Sequence, residues 1–186
     1  MKLYLLRHAE RGHGEKQDTL TDLGINQSEK IVPFLKKLKI NRIICADTNR
    51  AKKTIEPFIK KLSLDVEYTN LVNEQEMGEL TGKSGSEYRE KLEKSGLSKE
   101  EFRPIGGENY SDLMNRAKIF LNNLKKENSE NILVSTHAGF IRSVIILLLN
   151  FPKEELIFDS ASITFLEFDK DFNVINCELN KEMTKK

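Results

Sequence analysis

ILVSTHAGFIRSVIILLLN, residues 132–150, joins a short apolar run to a longer one across a Thr–His–Ala–Gly step. Ile132 to Ser135 reads as a buried strand, and Phe140 to Asn150 as a buried helix opened by Ala138 and Gly139. A strand that feeds directly into an apolar helix is the repeating unit of an α/β sheet. The same grammar recurs upstream. KLYLL (2–6) is a second short strand, ended by Arg7, and RIICA (42–46) is a third. After RIICA, Asp47 or Thr48 is placed to cap a helix running to about Leu62, perturbed by Pro57.

The remaining segments fill in around these. Residues 8–20 are polar, contain Gly12 and Gly14, and read as a loop. LTDLGINQSEKIVPFLKKL (20–38) opens with Thr21 as N-cap. Leu23, Ile31, Phe34, Leu35 and Leu38 are expected on one helical face, with a bend at Pro33. Asp65 to Tyr68 is a short strand. Residues 70–107 hold six of the ten glycines and read as an irregular excursion with one charged helix near 85–95. Ser111 starts an amphipathic helix. ITFLEF (163–168) and FNVINCEL (172–179) form a hairpin, and the tail KEMTKK is expected to fray. Strands alternating with helices predict a three-layer α/β/α sandwich with a mostly parallel sheet and an antiparallel edge strand. No repeat or linker divides residues 1–186, so one domain is expected.

Composition narrows the chemistry. The chain has 186 residues, is 38% hydrophobic and 32% charged, and carries a formal net charge of +1 from 30 basic and 29 acidic residues. No global field argues for nucleic acid or membrane as a partner, so an anion site must come from local placement of a few Arg and His side chains. The apolar run at the start is too short for a secretory signal. Cys45 and Cys177 lie in strand-like apolar stretches and read as buried free thiols, which fits cytoplasm. No CxxC pair or zinc spacing is present, so no metal or cofactor is expected.

Ligands of open α/β sheets sit beyond the carboxyl ends of the strands. Three strands here end on residues suited to phosphate: Arg7 with His8, Arg50 in a first helical turn, and Thr136 with His137. Each residue alone has a bland reading, as a solvated charge or a satisfied structural histidine. Two imidazoles and two guanidinium groups at one sheet edge favour a phosphoryl site. Arginine forks grip phosphate oxygens, helix N-termini add N–H donors, and a neutral imidazole is a competent nucleophile. A leaving alkoxide needs a proton, for which Glu74 is the candidate.

These residues carry a resemblance. LLRHAE (5–10), LTDLGINQSEK (20–30), CADTNRAKKTI (45–55), LVNEQEMGELTGK (71–83), PIGGENYSDLMNRAKIFL (104–121) and VSTHAGFIRSVI (134–145) are similar, in order, to the six signature segments of the histidine phosphatase superfamily, the phosphoglycerate-mutase-like proteins. The resemblance implies His8 as the phosphate-accepting residue and Glu74 as general acid, then base. It implies Arg7, Arg50, His137 and the Ala138 backbone N–H as the phosphate pocket, with no metal. Ala9 stands for the usual glycine, Gly14 for a phosphate-contacting asparagine and Asn109 for a serine. Gln75, Glu76 and Met77 lack the Arg-His-Tyr that mutases carry beside the acid. A phosphomonoester phosphatase is therefore expected. A cofactor-dependent mutase and a non-catalytic phospholigand-binding module are the alternatives. Metal hydrolysis through His8, Glu10 and His13 has the spacing but no accompanying motif. Arg11, His13 and Lys16 either line the pocket mouth or are solvated. Lys83, Arg89 and Arg103 either meet a second anionic group of the substrate or are solvated, and the sequence does not name that substrate.

Overall fold

A computed structural model describes residues 1–60, 62 and 64–183. Its strands are β1 (Lys2–Arg7), β2 (Arg42–Ala46), β3 (Val66–Thr69), β4 (Asn131–Thr136), β5 (Ser162–Phe168) and β6 (Val174–Glu182). Its helices are α1 (Asp22–Lys30), α2 (Val32–Lys37), α3 (Asn49–Ile59), α4 (Gly85–Ser95), α5 (Tyr110–Leu124) and α6 (Ala138–Leu149). All six strands join one sheet in the order β3-β2-β4-β1-β5-β6. The pairs from β3 to β1 are parallel, and β5 and β6 run antiparallel. The expected antiparallel edge is thus two strands wide.

In β1 and β4 consecutive residues are buried, as a strand covered on both faces requires. One covering group is α1 to α3 and the other is α5 with α6, which gives the expected three layers. β1 and β4 pair from Lys2↔Asn131 to Arg7↔Thr136, and His8 N–H extends the ladder by donating to the Thr136 carbonyl at 2.9 Å. This register sets His8 and His137 side by side.

Several local expectations shift. The helix expected over 20–38 breaks at Ile31, and Pro33 sits in the first turn of α2, where its missing N–H costs nothing. Leu23 is 53% exposed, because α1 buries its small residues Gly24 and Ser28 instead. A Cβ on Gly24 would lie 2.0 Å from the Glu10 carbonyl, so the glycine permits the helix to sit against the His8 loop. α3 ends at Ile59, short of Leu62. Thr48 precedes α3 but makes no capping bond; Asp18 supplies it, accepting from Asn49 N at 3.0 Å and Arg50 N at 3.4 Å. α5 starts at Tyr110, capped by a reciprocal Asn109–Asp112 pair. Both thiols are free; Cys45 is buried and Cys177 only half-buried, since β6 is the sheet edge. Lys181 and Glu182, expected to fray, are the end of β6, and residues 184–186 lie outside the described residues.

Candidate active site

β1, β2 and β4 end at the same rim and deliver the four predicted basic residues. His8 and His137 are 3% and 0% exposed, with ring centroids 5.1 Å apart. His8 Nδ1 lies 2.7 Å from the Ala9 carbonyl, which can only accept. The proton is therefore on Nδ1, and Nε2 keeps its lone pair. Burial pushes the His8 pKa down to about 3, the Ala9 bond opposes this, and the positive charges of Arg50, Arg7 and Arg11 push the same way as burial. Burial and the same arginines hold His137 well below the usual imidazole range. Both rings are neutral at neutral pH.

Arg7 and Arg50 are mostly buried, and burial lowers both pKa values, with Glu74 raising each in return. Arginine stays charged under such shifts. Arg7 Nη1 donates to the Phe158 carbonyl. Arg50 Nη1 donates to Asp18 at 2.9 Å, so the loop after His8 holds the second guanidinium in place. The Thr48 hydroxyl lies 3.3 Å from His137 Nε2. Arg7 Nε, Arg50 Nε and His137 Nδ1 are buried without a hydrogen-bond partner. Buried polar groups are rarely left so, and the two guanidinium N–H groups have room for an acceptor from outside the chain.

Glu74 reaches the rim from the excursion. Its carboxylate accepts from Gly139 N and from Gln75 N, both at 3.1 Å. Gly139 is required for this approach, because a Cβ there would lie 2.0 Å from Glu74 Oε1. The backbone carrying Glu74 is tied down from three sides. The Thr136 hydroxyl donates to the Val72 carbonyl, Asp47 N donates to the Asn73 side chain at 2.9 Å, and Arg116 donates to the carbonyls of Leu71, Asn73 and Glu74 at 2.9 to 3.1 Å. Arg116 is itself held by Glu108 through two 2.7 Å bonds. Ala138 opens α6 beside Glu74, where first-turn N–H groups have no intrahelical acceptor.

Of the residues left open by sequence, Arg11 lines the hollow with Arg50 and Glu74, while His13 and Lys16 are exposed. Glu10 is occupied by the Thr21 hydroxyl at 2.8 Å and does not converge with His13. Among the described residues no group of three or more His, Cys, Asp or Glu side chains could hold a metal ion. Lys83 and Arg89 line the next part of the hollow, and Arg103 pairs with Asp112 at 2.6 Å. Asp18, Thr48, Gly139 and Arg116 were not singled out from the sequence for these roles. A hollow of about 640 Å³ lies between α1 and α3, while the one lined by Arg11, Arg50 and Glu74 is smaller, about 180 Å³.

Fold and site together define an α/β enzyme whose sheet rim gathers two imidazoles, two guanidinium groups and a carboxylate. Residues 3–180 match the model of the histidine phosphatase superfamily (branch 1). The chain belongs to that family and is a phosphatase of the histidine type. It is 26% identical over 182 residues to a Hydrogenobacter thermophilus protein named "Putative phosphoserine phosphatase 2", covering 90% of each. It is 24% identical over 168 residues to the adenosylcobalamin/alpha-ribazole phosphatase of Escherichia coli K12, covering 84% of this chain and 83% of the relative. Mycobacterial glucosyl-3-phosphoglycerate phosphatase superposes with a TM-score of 0.79 at 20% identity, over 97% of this chain and 99% of that one.

Proposed function

We propose that this chain hydrolyses a small phosphomonoester in two steps, without a metal, through a phosphohistidine on His8. The His8 Nε2 lone pair attacks phosphorus. The ester P–O bond breaks, and its electron pair leaves on the alkoxide oxygen, which takes a proton from the Glu74 carboxyl group. In the second step water gives a proton to the Glu74 carboxylate and attacks phosphorus. The P–N bond breaks and returns its electron pair to Nε2. Arg7, Arg50, His137 and the Ala138 N–H hold the phosphoryl oxygens, where stabilisation of developing charge does most of the catalytic work. The observation that carries this reading is a pair of buried, neutral imidazoles with ring centroids 5.1 Å apart, accompanied by the buried, unpartnered Nε–H groups of Arg7 and Arg50.

Hydrolysis is preferred over phosphate return to a sugar acid because Gln75, Glu76 and Met77 flank the acid. We take the chain as a single domain whose 70–107 stretch covers the bound substrate. The setting fits cytoplasm: both thiols are free, and among the described residues no helix is long and apolar enough to cross a membrane.

Turnover of p-nitrophenyl phosphate by the unmodified chain, insensitive to EDTA and abolished in His8→Ala, is the expected result. Labelled phosphate should be trapped on His8 as an acid-labile, base-stable adduct. Full activity of His8→Ala would overturn the scheme. Interconversion of 2- and 3-phosphoglycerate with bisphosphoglycerate supplied would identify a mutase, and phosphate binding with no turnover a binding module.

A further inference from the structure

Thr48, two residues past β2, lines the hollow of about 180 Å³ together with Arg50, Asn73 and Glu74. It is half-buried, extended at φ −129° and ψ 145°, and directly precedes α3, the position from which a threonine usually caps a helix. Asp18 has taken that cap. The Thr48 hydroxyl makes no bond to α3, and its one hydrogen-bond partner among the described residues is His137 Nε2, at 3.3 Å.

The surroundings of the ring give this contact a direction. His137 is 0% exposed, and its Nδ1 is buried without a partner. A neutral imidazole carries one N–H and one lone pair. A buried N–H without an acceptor is rarer than a buried acceptor without a donor, so the proton belongs on Nε2. Nε2–H then donates to Thr48 Oγ1. At 3.3 Å this bond is longer than the usual ~2.9 Å, so the N–H is loosely held and can be shared with a second acceptor. A hydroxyl that accepts still has its own hydrogen to give, and that of Thr48 meets no acceptor among the described residues.

Asn73 stands beside it in the same condition. It is 9% exposed, and its Oδ1 accepts from Asp47 N at 2.9 Å, which fixes the way the amide faces. Its Nδ2 donates to nothing among the described residues. Two neutral donors thus border one hollow next to Arg50.

We propose that the Thr48 hydroxyl and the Asn73 amide are further phosphoryl-binding groups, and that Thr48 also holds the His137 ring toward the phosphoryl group. The inference rests on the reading above that a phosphoryl group occupies this hollow. Each phosphoryl oxygen accepts more than one hydrogen bond, so two guanidinium forks, an imidazole and a backbone N–H do not fill them. Burial and the charges of three arginines already keep both imidazoles neutral, and neutral donors strengthen the grip without adding a further positive charge.

The probe is inorganic phosphate, titrated calorimetrically into the unmodified chain, Thr48→Val, Thr48→Ser and Asn73→Asp, with a thermal melt of each and kcat/KM on p-nitrophenyl phosphate. Valine keeps the β-branched shape that suits an extended residue and removes only the hydroxyl. Aspartate keeps the acceptor used by Asp47 N–H and removes the donor. Thr48→Val should melt like the unmodified chain, bind phosphate about tenfold more weakly or worse, and lose a similar factor in kcat/KM, the scale of a hydrogen bond to a charged group. Thr48→Ser should recover most of that loss, and Asn73→Asp should weaken phosphate at least as much as Thr48→Val. Unchanged phosphate binding in Thr48→Val or Asn73→Asp, or a serine variant as poor as the valine one, would overturn the proposal. So would NMR of labelled imidazole nitrogens showing the His137 proton on Nδ1, because Thr48 would then give its hydrogen to Nε2. None of these results touches the phosphatase reading while p-nitrophenyl phosphate is turned over. If the unmodified chain binds phosphate but hydrolyses no ester, that reading fails, and the phosphate titrations decide the proposal alone. A chain that binds no phosphate overturns both.

Discussion

A methyl group added at Gly139 would stand 2.0 Å from Glu74 Oε1 and 3.0 Å from Cδ. Ordinary contact begins at 3.4 Å, so Oε1 must retreat by about 1.4 Å. The obstacle is the end of a flexible side chain, so the carboxylate gives way and the backbone stays. Gly139 lies inside α6 with no positive φ, and alanine is a better helix former than glycine by about 1 kcal/mol. Gly139→Ala should therefore fold with an unchanged or slightly raised melting temperature. The displaced acid should tell in turnover. A misplacement near 1 Å costs on the order of a hundredfold when a group must meet its proton acceptor in the transition state. The loss should fall on alkyl phosphates, whose leaving oxygen needs a proton. It should be much smaller for p-nitrophenyl phosphate, whose phenolate leaves unaided. Initial rates on both substrates, with a thermal melt of the same sample, complete the measurement. Wild-type rates on the alkyl ester in a variant of unchanged stability would show that Glu74 does not act from where it stands. Equal losses on both esters would show that the methyl group damages the phosphate pocket and not the acid.

Glu74→Gln should reproduce the same selective loss, and an even loss on both esters would argue against its role as acid. Asp18→Asn weakens the hold on Arg50; because Asp18 is 41% exposed the effect should be modest, about 1 kcal/mol or a fivefold rise in KM, read with inorganic phosphate as competitive inhibitor. Arg116→Met leaves the half-buried Glu108 carboxylate without its charge partner, held only by Glu76 N–H, and removes the guanidinium bonds to the Leu71, Asn73 and Glu74 carbonyls. It should destabilise the fold by about 3 kcal/mol in denaturant titrations and lower turnover through Glu74. His8 stays neutral in the folded chain down to about pH 3, whereas the unfolded chain protonates near 6.5. The unfolded state therefore binds more protons across that window, and stability falls as pH drops from about 6.5 toward 3. His8→Asn should flatten that slope in melts at pH 7, 5 and 4; an unchanged slope would contradict the burial of a neutral imidazole.

The legible parts of this protein are those fixed by short-range pattern. Apolar runs ending in Arg7–His8 and Thr136–His137 announce both the strands and the rim, because a strand terminus fixes where its next side chain points. The excursion was legible only as glycine-rich chain with a charged helix. Where Glu74 lands depends on Arg116 and Thr136, 42 and 62 residues away, bonding to backbone carbonyls, and such bonds leave no trace in side-chain periodicity. Leu23 misled for a related reason: α1 is held by the close fit of Gly24 against Glu10, and apolar periodicity cannot register contact made by the absence of a side chain. Thr48 has the chemistry of a cap, but Asp18 from a distant loop takes that place and frees its hydroxyl for His137.

The two imidazoles follow neighbouring strands, side by side past the last rung of the central ladder, whereas the carboxylate comes from a stretch whose one helix, α4, buries no side chain. Opening of chain segments under heat or denaturant begins where least is packed. α4 therefore opens before the ladder that holds the imidazoles. Amide hydrogens around His8 and His137 belong among the last to exchange, and those of α4 among the first.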